Sequence, residues 1–277
     1  MVKNRLSSNL IHVENSHVSS MNPWGKNIWA EIRTAFVHAV FPPRCQVCSS
    51  FFHPPRSDEE KRDIHNLCFE DIMAKWLCPQ CLSGFRQTEK IIRGKDFSPP
   101  RHFRIAASAG EYETEKGFAT AIRNYKYKGA RQLSDPFGIL LFSAWNMHWK
   151  TGDTDIIIPV PLHHARFRER GFNQAWLMIR NWPGLAEKFH TDFSQTEVRR
   201  DVLLRTRKTK PQAGLGKKER EENIRGAFCV AKGENVQGKQ IILVDDVFTT
   251  GSTVSECARV LLEKGAKSVD VLTLARD

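Results

Sequence analysis

The sequence predicts an α/β protein, a parallel sheet flanked by helices, with a small cysteine-rich domain on its N-terminal side. Three stretches carry that expectation. The run Ile241-Ile242-Leu243-Val244 is continuously apolar and ends in Asp245-Asp246, as a strand buried on both faces does in a parallel sheet. After it, Val254 to Lys264 places apolar residues at Val254, Cys257, Ala258, Leu261 and Leu262, a helical spacing that Gly265 can end. The third stretch holds two C-x-x-C knuckles, Cys45-Gln46-Val47-Cys48 and Cys78-Pro79-Gln80-Cys81.

At 277 residues the chain has room for one α/β core and a small appendage. Its 42 basic and 31 acidic residues leave a net charge of +11. That balance favours anionic partners, either phosphorylated small molecules or nucleic acid, and a merely soluble basic surface is the plainer alternative. The cysteine count is seven, an odd number with four in close pairs, which points to metal in a reducing cytosol more than to a disulfide framework. A cytoplasmic location is therefore expected. No run approaches the ~20 apolar residues of a membrane span, and no apolar h-region of a signal peptide is seen.

Taken in order, residues 1–22 are polar and are expected to be a disordered tail. Residues 23–43 predict an amphipathic helix, with Trp24, Ile28, Trp29, Ile32, Phe36, Val40 and Phe41 at helical spacing and Pro42-Pro43 ending it. Residues 44–98 form the cysteine domain. Each knuckle lets two thiolates reach one tetrahedral zinc, so Cys45, Cys48, Cys78 and Cys81 are the expected ligands. Such a closed site serves folding rather than catalysis; a redox dithiol is the weaker alternative. Cys68 lies between the pairs, with His53 and His65 nearby, and reads equally as a small buried hydrophobe or as a substitute ligand.

Residues 99–277 form the main domain. Phe103 to Glu111 predicts its first strand and Glu115 to Tyr127 a helix. The end of that helix, Arg123 to Arg131, interleaves bases with aromatics. Lys126, Lys128 and Arg131 there suit either a nucleic-acid backbone or the negative end of a helix dipole. Asp135-Pro136 starts a helix that runs to about Trp149. A second buried strand, Asp155 to Leu162, closes in a Pro-x-Pro turn at Val160-Pro161-Leu162. Arg166 and Arg170 follow, as a phosphate-binding edge or as solvated arginines. Val202 to Phe228 is polar and long, and predicts a flexible arm in which Arg205 and its neighbours could close over a leaving diphosphate. Cys229 and Cys257 fall on apolar elements and are expected in the core.

The central strand then runs into Val247, Phe248, Thr249, Thr250, Gly251, Ser252 and Thr253. Thr249 to Thr253 put hydroxyls and backbone N–H groups at a helix N-terminus, which carries roughly half a positive charge and suits a phosphate. Asp245 and Asp246 could accept from two neighbouring ribose hydroxyls and attract magnesium, a hard cation that prefers oxygen. Phosphate, vicinal diol and magnesium together describe a ribose 5-phosphate bearing a diphosphate. The stretch is neither a Walker A loop nor a Rossmann fingerprint.

Val244 to Thr253 resembles the phosphoribosyl-diphosphate (PRPP) signature of type I phosphoribosyltransferases. The chain from about Phe41 to Arg276 also resembles the ComF/GntX competence family. The two knuckles, Lys126-Tyr127-Lys128-Gly129, Pro159-Val160-Pro161-Leu162 with Arg170-Gly171-Phe172-Asn173-Gln174, Leu203-Leu204-Arg205-Thr206-Arg207, and Asp245-Asp246 with its loop carry that likeness in order. It implies an N-terminal zinc ribbon, a type I phosphoribosyltransferase domain and a role in uptake of single-stranded DNA during natural transformation. It further implies that Thr249 to Thr253 hold the 5-phosphate and that Asp245 and Asp246, placed at the reacting ribose, hold its hydroxyls. Val160 to Leu162, Arg166 and Arg170 would face the diphosphate. A DNA-uptake helicase or recombination mediator is the expected protein partner. Two departures stand out: a third cysteine pair of the family is reduced to Cys68, and Leu82 replaces a glycine. Three functions remain open at this point: a PRPP-binding protein of DNA uptake, an active pentosyl transferase with a nucleobase acceptor, and a zinc-ribbon single-stranded DNA binder.

Overall fold

The computed structural model describes residues 41–55, 63–64, 67–83, 85–113, 117–149, 152–210 and 216–277, with positions 32, 36, 37 and 40. The expected tail at 1–22 and most of the helix at 23–43 lie outside the described residues; positions 32, 36, 37 and 40 are helical. The chain divides into two compact units, Met1–Pro42 and Pro43–Asp277. The second carries the sheet, its helices and both cysteine pairs.

In that unit, helices α1 (Phe69–Met73) and α2 (Pro79–Leu82) lie in the cysteine segment and strand β1 (Ile92–Arg93) leads out of it. Strand β2 (Ile105–Glu111), helix α3 (Gly117–Tyr127) and helix α4 (Ser134–His148) follow. After strand β3 (Ile156–Pro159) come three short helices, α5 (His164–Arg170), α6 (Gln174–Ile179) and α7 (Trp182–Lys188), and the edge strand β4 (Glu197–Val198). Strand β5 (Leu203–Arg205), helix α8 (Lys217–Ile224) and strand β6 (Phe228–Val230) precede the last βαβ unit. That unit is β7 (Gln240–Phe248), α9 (Ser252–Glu263) and β8 (Ser268–Arg276).

The sheet runs β1-β2-β8-β7-β3-β4, and among the described strands only β1 is antiparallel to its neighbour in it. Ile241 to Val244 are buried, as a strand covered on both faces requires. The chain leaves β3 toward the β4 edge, then returns as β7 on the other side of β3. The carboxyl ends of β3 and β7 therefore stand side by side at a switch in winding, where open α/β sheets form crevices.

One face of the sheet is covered by α3, α4, α6 and α7, the other by α9 and the β5–β6 hairpin. Val254, Cys257, Ala258 and Leu261 are the buried stripe of α9, as their spacing predicts. The cysteine segment belongs to the first of these cores. Phe69 stacks on Phe85 at 3.7 Å, and Phe118 of α3 meets both edge-on. Gly117 opens α3 so close to the second knuckle that a Cβ would stand 2.2 Å from the Cys81 carbonyl oxygen. Residues assigned to 44–98 and 99–277 thus pack as one unit.

The arm at Val202 to Phe228 differs from expectation. β5 and β6 pair antiparallel, and Val202, Leu203, Ile224, Ala227 and Phe228 are buried beneath α9. Its apolar ends anchor it; residues 211–215 lie outside the described residues. β8 was not expected as a strand. Its buried acid, Asp270, accepts from Arg104 Nε at 2.9 Å and from Trp149 Nε1 at 2.8 Å, so burial is compensated by hydrogen bonds. Cys257 is buried and Cys229 only half-buried. Among the described residues no helix is long and apolar enough to cross a membrane.

Candidate functional site

β7 carries Asp245 and Asp246 to the open end of the sheet, still paired with β8 at Asp245↔Thr273. Beside them the Val160 N–H donates to the Val244 carbonyl at 2.8 Å, which seats the turn Val160 to Leu162 against the acids. Gly251 caps α9 with φ 70°, and a Cβ there would stand 2.9 Å from the Phe248 ring. Glycine therefore serves both the left-handed turn and the close approach. The α9 N-terminus opens onto the same space, with the Thr250 and Ser252 hydroxyls hydrogen-bonded at 2.8 Å.

These elements wall a cavity of about 320 Å³. Of the residues expected at the site, Val160 to Leu162, Arg166, Arg170, Arg205, Asp245 to Thr249 and Gly251 to Thr253 line it. Val244 lies below in the buried ladder, and the Thr250 carbonyl accepts from Arg101 at 3.0 Å.

The acids are not alone. Lys126 Nζ stands 2.7 Å from Asp246 Oδ1, with the two side chains only 18% and 14% exposed. Burial pulls the Lys126 ammonium pKa down, but the Asp246 carboxylate more than offsets it and leaves it above the ordinary value. The Asp246 N–H donates to Asp245 Oδ1 at 2.8 Å. Burial first, and the Asp246 charge second, push the Asp245 carboxyl up to about 7. The pair therefore comprises one carboxylate neutralised by lysine and one that gains or loses a proton near neutrality.

The structure places Lys126 apart from Lys128 and Arg131, the residues with which it is expected to contact nucleic acid. The last turn of α3 faces the end of β7, so Lys126 points into the cavity while Lys128 and Arg131 remain exposed. Arg131 lies over the Phe172 ring at 4.7 Å.

Arg205 is half-buried, hydrogen-bonds Thr209 and sits 5.3 Å over the Phe228 ring. Among the described residues it forms no ion pair, and burial draws its pKa below the ordinary arginine value. A half-buried cation in a cavity wall, without an ion pair among the described residues, suits an anionic ligand. Two further arginines reach the Thr249 to Thr253 loop. Arg101, with a side chain 5% exposed, pairs with Glu221 at 2.8 Å and holds the loop through Thr250. Arg220 donates to Thr249 Oγ1 at 3.4 Å. No periodicity or local motif marks Arg101, whereas Arg220 belongs to the polar arm of Val202 to Phe228.

The second gathering is Cys45, Cys48, Cys78 and Cys81, whose sulfurs all lie within 4.8 Å of one another. Cys48 Sγ and Cys78 Sγ are 3.7 Å apart, close to the ~3.8 Å edge of a tetrahedron with metal–sulfur bonds of about 2.3 Å. Four soft donors at this spacing fit a structural metal such as zinc. Cys68 is not among them. Its exposed thiol donates to Asp71 Oδ2 at 3.0 Å.

Residues 183–277 match the family described as Phosphoribosyl transferase domain. The chain is 32% identical over 206 residues to the DNA utilization protein YhgH of Shigella flexneri, covering 73% of this chain and 85% of that one. It is 35% identical over 162 residues to competence protein F of Haemophilus influenzae, covering 56% and 66%. With competence protein ComFC of Bacillus subtilis it shares 37% identity over 158 residues, covering 56% and 58%.

Proposed function

Since the chain belongs to the ComF family, with a type I phosphoribosyltransferase domain, we propose that it binds PRPP and acts in the uptake of single-stranded DNA in natural transformation. The observation that carries this reading is the convergence, in one cavity, of the acid pair, the α9 N-terminus and the half-buried cation Arg205. Loop residues Thr249 to Thr253 would take the 5-phosphate through backbone N–H groups and hydroxyls. Asp245 and Asp246 would accept from the ribose hydroxyls. Arg166, Arg170, Arg205 and the turn at Val160 to Leu162 would receive the diphosphate.

The oxygen donors of Asp245 and Asp246 fit magnesium, a hard cation. When bound, magnesium would withdraw charge from the diphosphate. Lys126 would be released from Asp246 as the ligand arrives and would be free to face the diphosphate. Zinc at the four cysteines has a folding role in this reading. A cytoplasmic location and a helicase or recombination mediator as partner belong to it too; the names of the relatives support the handling of DNA.

A second reading, pentosyl transfer to a nucleobase, is favoured by Tyr112 and Tyr127 in the cavity wall, where a base could stack. The bond from the anomeric carbon to the diphosphate would break, one to a base nitrogen would form, and the proton of that nitrogen would leave with the diphosphate. The protein would contribute positioning and charge stabilisation.

The test is calorimetric titration of PRPP with magnesium into the wild type and into Asp245→Asn/Asp246→Asn. Binding by the wild type and its loss in the double variant are expected. Equal binding by both, or none by the wild type, would refute the reading. Diphosphate release in the presence of nucleobases separates turnover from binding.

A further inference from the structure

We propose that the end of α3 and the helix α5 form a platform for single-stranded DNA that shares the mouth of the ribose-phosphate cavity, so that the two ligands exclude each other. The inference rests on the DNA-handling role proposed above, and adds where the strand lies and what it does to PRPP.

A short run of residues divides between the inside of the cavity and its rim. Lys126 turns inward to Asp246. Tyr127, its neighbour, lines the cavity yet is 66% exposed. Lys128 is exposed, Gly129 turns the chain with φ 69°, and Arg131 is exposed on the Phe172 ring. From α5 the Arg170 guanidinium lies 5.0 Å over the Tyr127 ring and lines the cavity as well. The same helix exposes Phe167 between Arg166 and Arg168, against a single acid, Glu169.

Exposed rings interleaved with cations are what a single strand needs. Bases stack on the rings while the cations follow the phosphates, and a duplex hides the base faces that would stack. The cations here outnumber the acid, so the charge suits a polyanion. The position of the rings carries the second half of the proposal. Tyr127, Arg166 and Arg170 belong to the cavity wall and to the platform at once. A strand stacked on Tyr127 covers the way in and places phosphates beside the site of another polyanion. Each ligand therefore weakens the other by the same factor, as linkage requires.

The test uses the full chain and a fluorescein-labelled thymidine oligonucleotide, followed by anisotropy, with the same sequence as a duplex for comparison. Tyr127→Ala is expected to weaken single-strand binding about tenfold. The double variant Lys128→Ala/Arg131→Ala is expected to weaken it and to lower the salt slope by about 1.4. Saturating PRPP with magnesium is expected to weaken wild-type binding about tenfold or more. Phe167→Ala serves as a second stacking variant, and unchanged unfolding midpoints show that the variants fold. Wild-type affinity in the tyrosine, phenylalanine and double variants would overturn the platform, as would duplex binding equal to that of the single strand. Oligonucleotide binding indifferent to PRPP, in a protein that binds PRPP by calorimetry, would overturn the exclusion while the proposed function stands. A wild type that binds no PRPP would overturn the exclusion together with the PRPP-binding half of the proposed function.

Discussion

The cysteine cluster is assembled from two short knuckles and closes on itself, whereas the acid cavity takes its walls from α3, α5, α9, β5, β7 and the turn after β3. The cluster offers four like donors and no open position, which is the construction of a part that folds. The cavity offers unlike groups, with a lysine already on one acid and an arginine that forms no ion pair among the described residues, which is the construction of a part that binds. The two are nevertheless continuous. Cys45 and Cys78 are buried in the core that also holds Phe118, Ile122 and Tyr125 of α3, and the last turn of α3 delivers Lys126. The closed region supports the helix that reaches into the open one.

That contrast is broken first at the cluster. Cys78→Ser, or stripping the metal with a chelator, is expected to lower the unfolding midpoint by about 10 °C or more, since metal binding contributes folding free energy. An unchanged midpoint, or metal analysis giving well under about one zinc per chain in the wild type, would remove the assigned folding role.

At the cavity, Lys126→Met leaves two neighbouring acids without their cation. A cost of about 2 kcal/mol is expected in chemical denaturation, with PRPP affinity falling about tenfold by calorimetry. Denaturation and affinity like those of the wild type would show that the pair does not matter.

The pH response separates the regions further. The Asp245 carboxyl sits near 7 in the folded protein, raised from 3.8, so the folded state holds a proton that the unfolded chain gives up. Its contribution to stability is full below about pH 4 and is lost as pH rises to about 7. Asp245→Asn is expected to flatten the urea-unfolding profile across that window. PRPP affinity, which needs the ionised acid, is expected to rise through the same range in the wild type. A wild-type profile already flat would contradict the buried-acid assignment.

The smallest effect is expected at Cys68. Cys68→Ser should keep the metal content and change stability by no more than about 0.5 kcal/mol, because its thiol faces Asp71 and solvent. Loss of metal in that variant would make it a ligand after all.

The parts of this molecule that were legible in its sequence are those whose signal is local. The β7 run, the Thr249 to Thr253 loop, the helix after it and both knuckles are contiguous patterns, and the structure keeps each one. What was not legible depends on partners far along the chain. β8 carries Asp270 and Thr273 inside a strand, which reads as polar until Arg104, Trp149 and Ser108 are seen to satisfy them. The ends of the arm look too polar for a core until Leu203 pairs with Val230, and Arg205 with Phe228, across the hairpin. Lys126 lies in the last turn of α3 and reaches Asp246 of β7, whereas Lys128 follows the helix end and is exposed, a difference that nothing local in the sequence marks.

The most direct measurement is a structure determined with PRPP and magnesium. The 5-phosphate is expected against the backbone of Thr249 to Thr253, the ribose hydroxyls on Asp245 and Asp246, and Lys126 Nζ drawn from Asp246 toward the diphosphate. PRPP bound elsewhere, or the Lys126–Asp246 pair intact with the cavity empty, would contradict the assignment of this cavity.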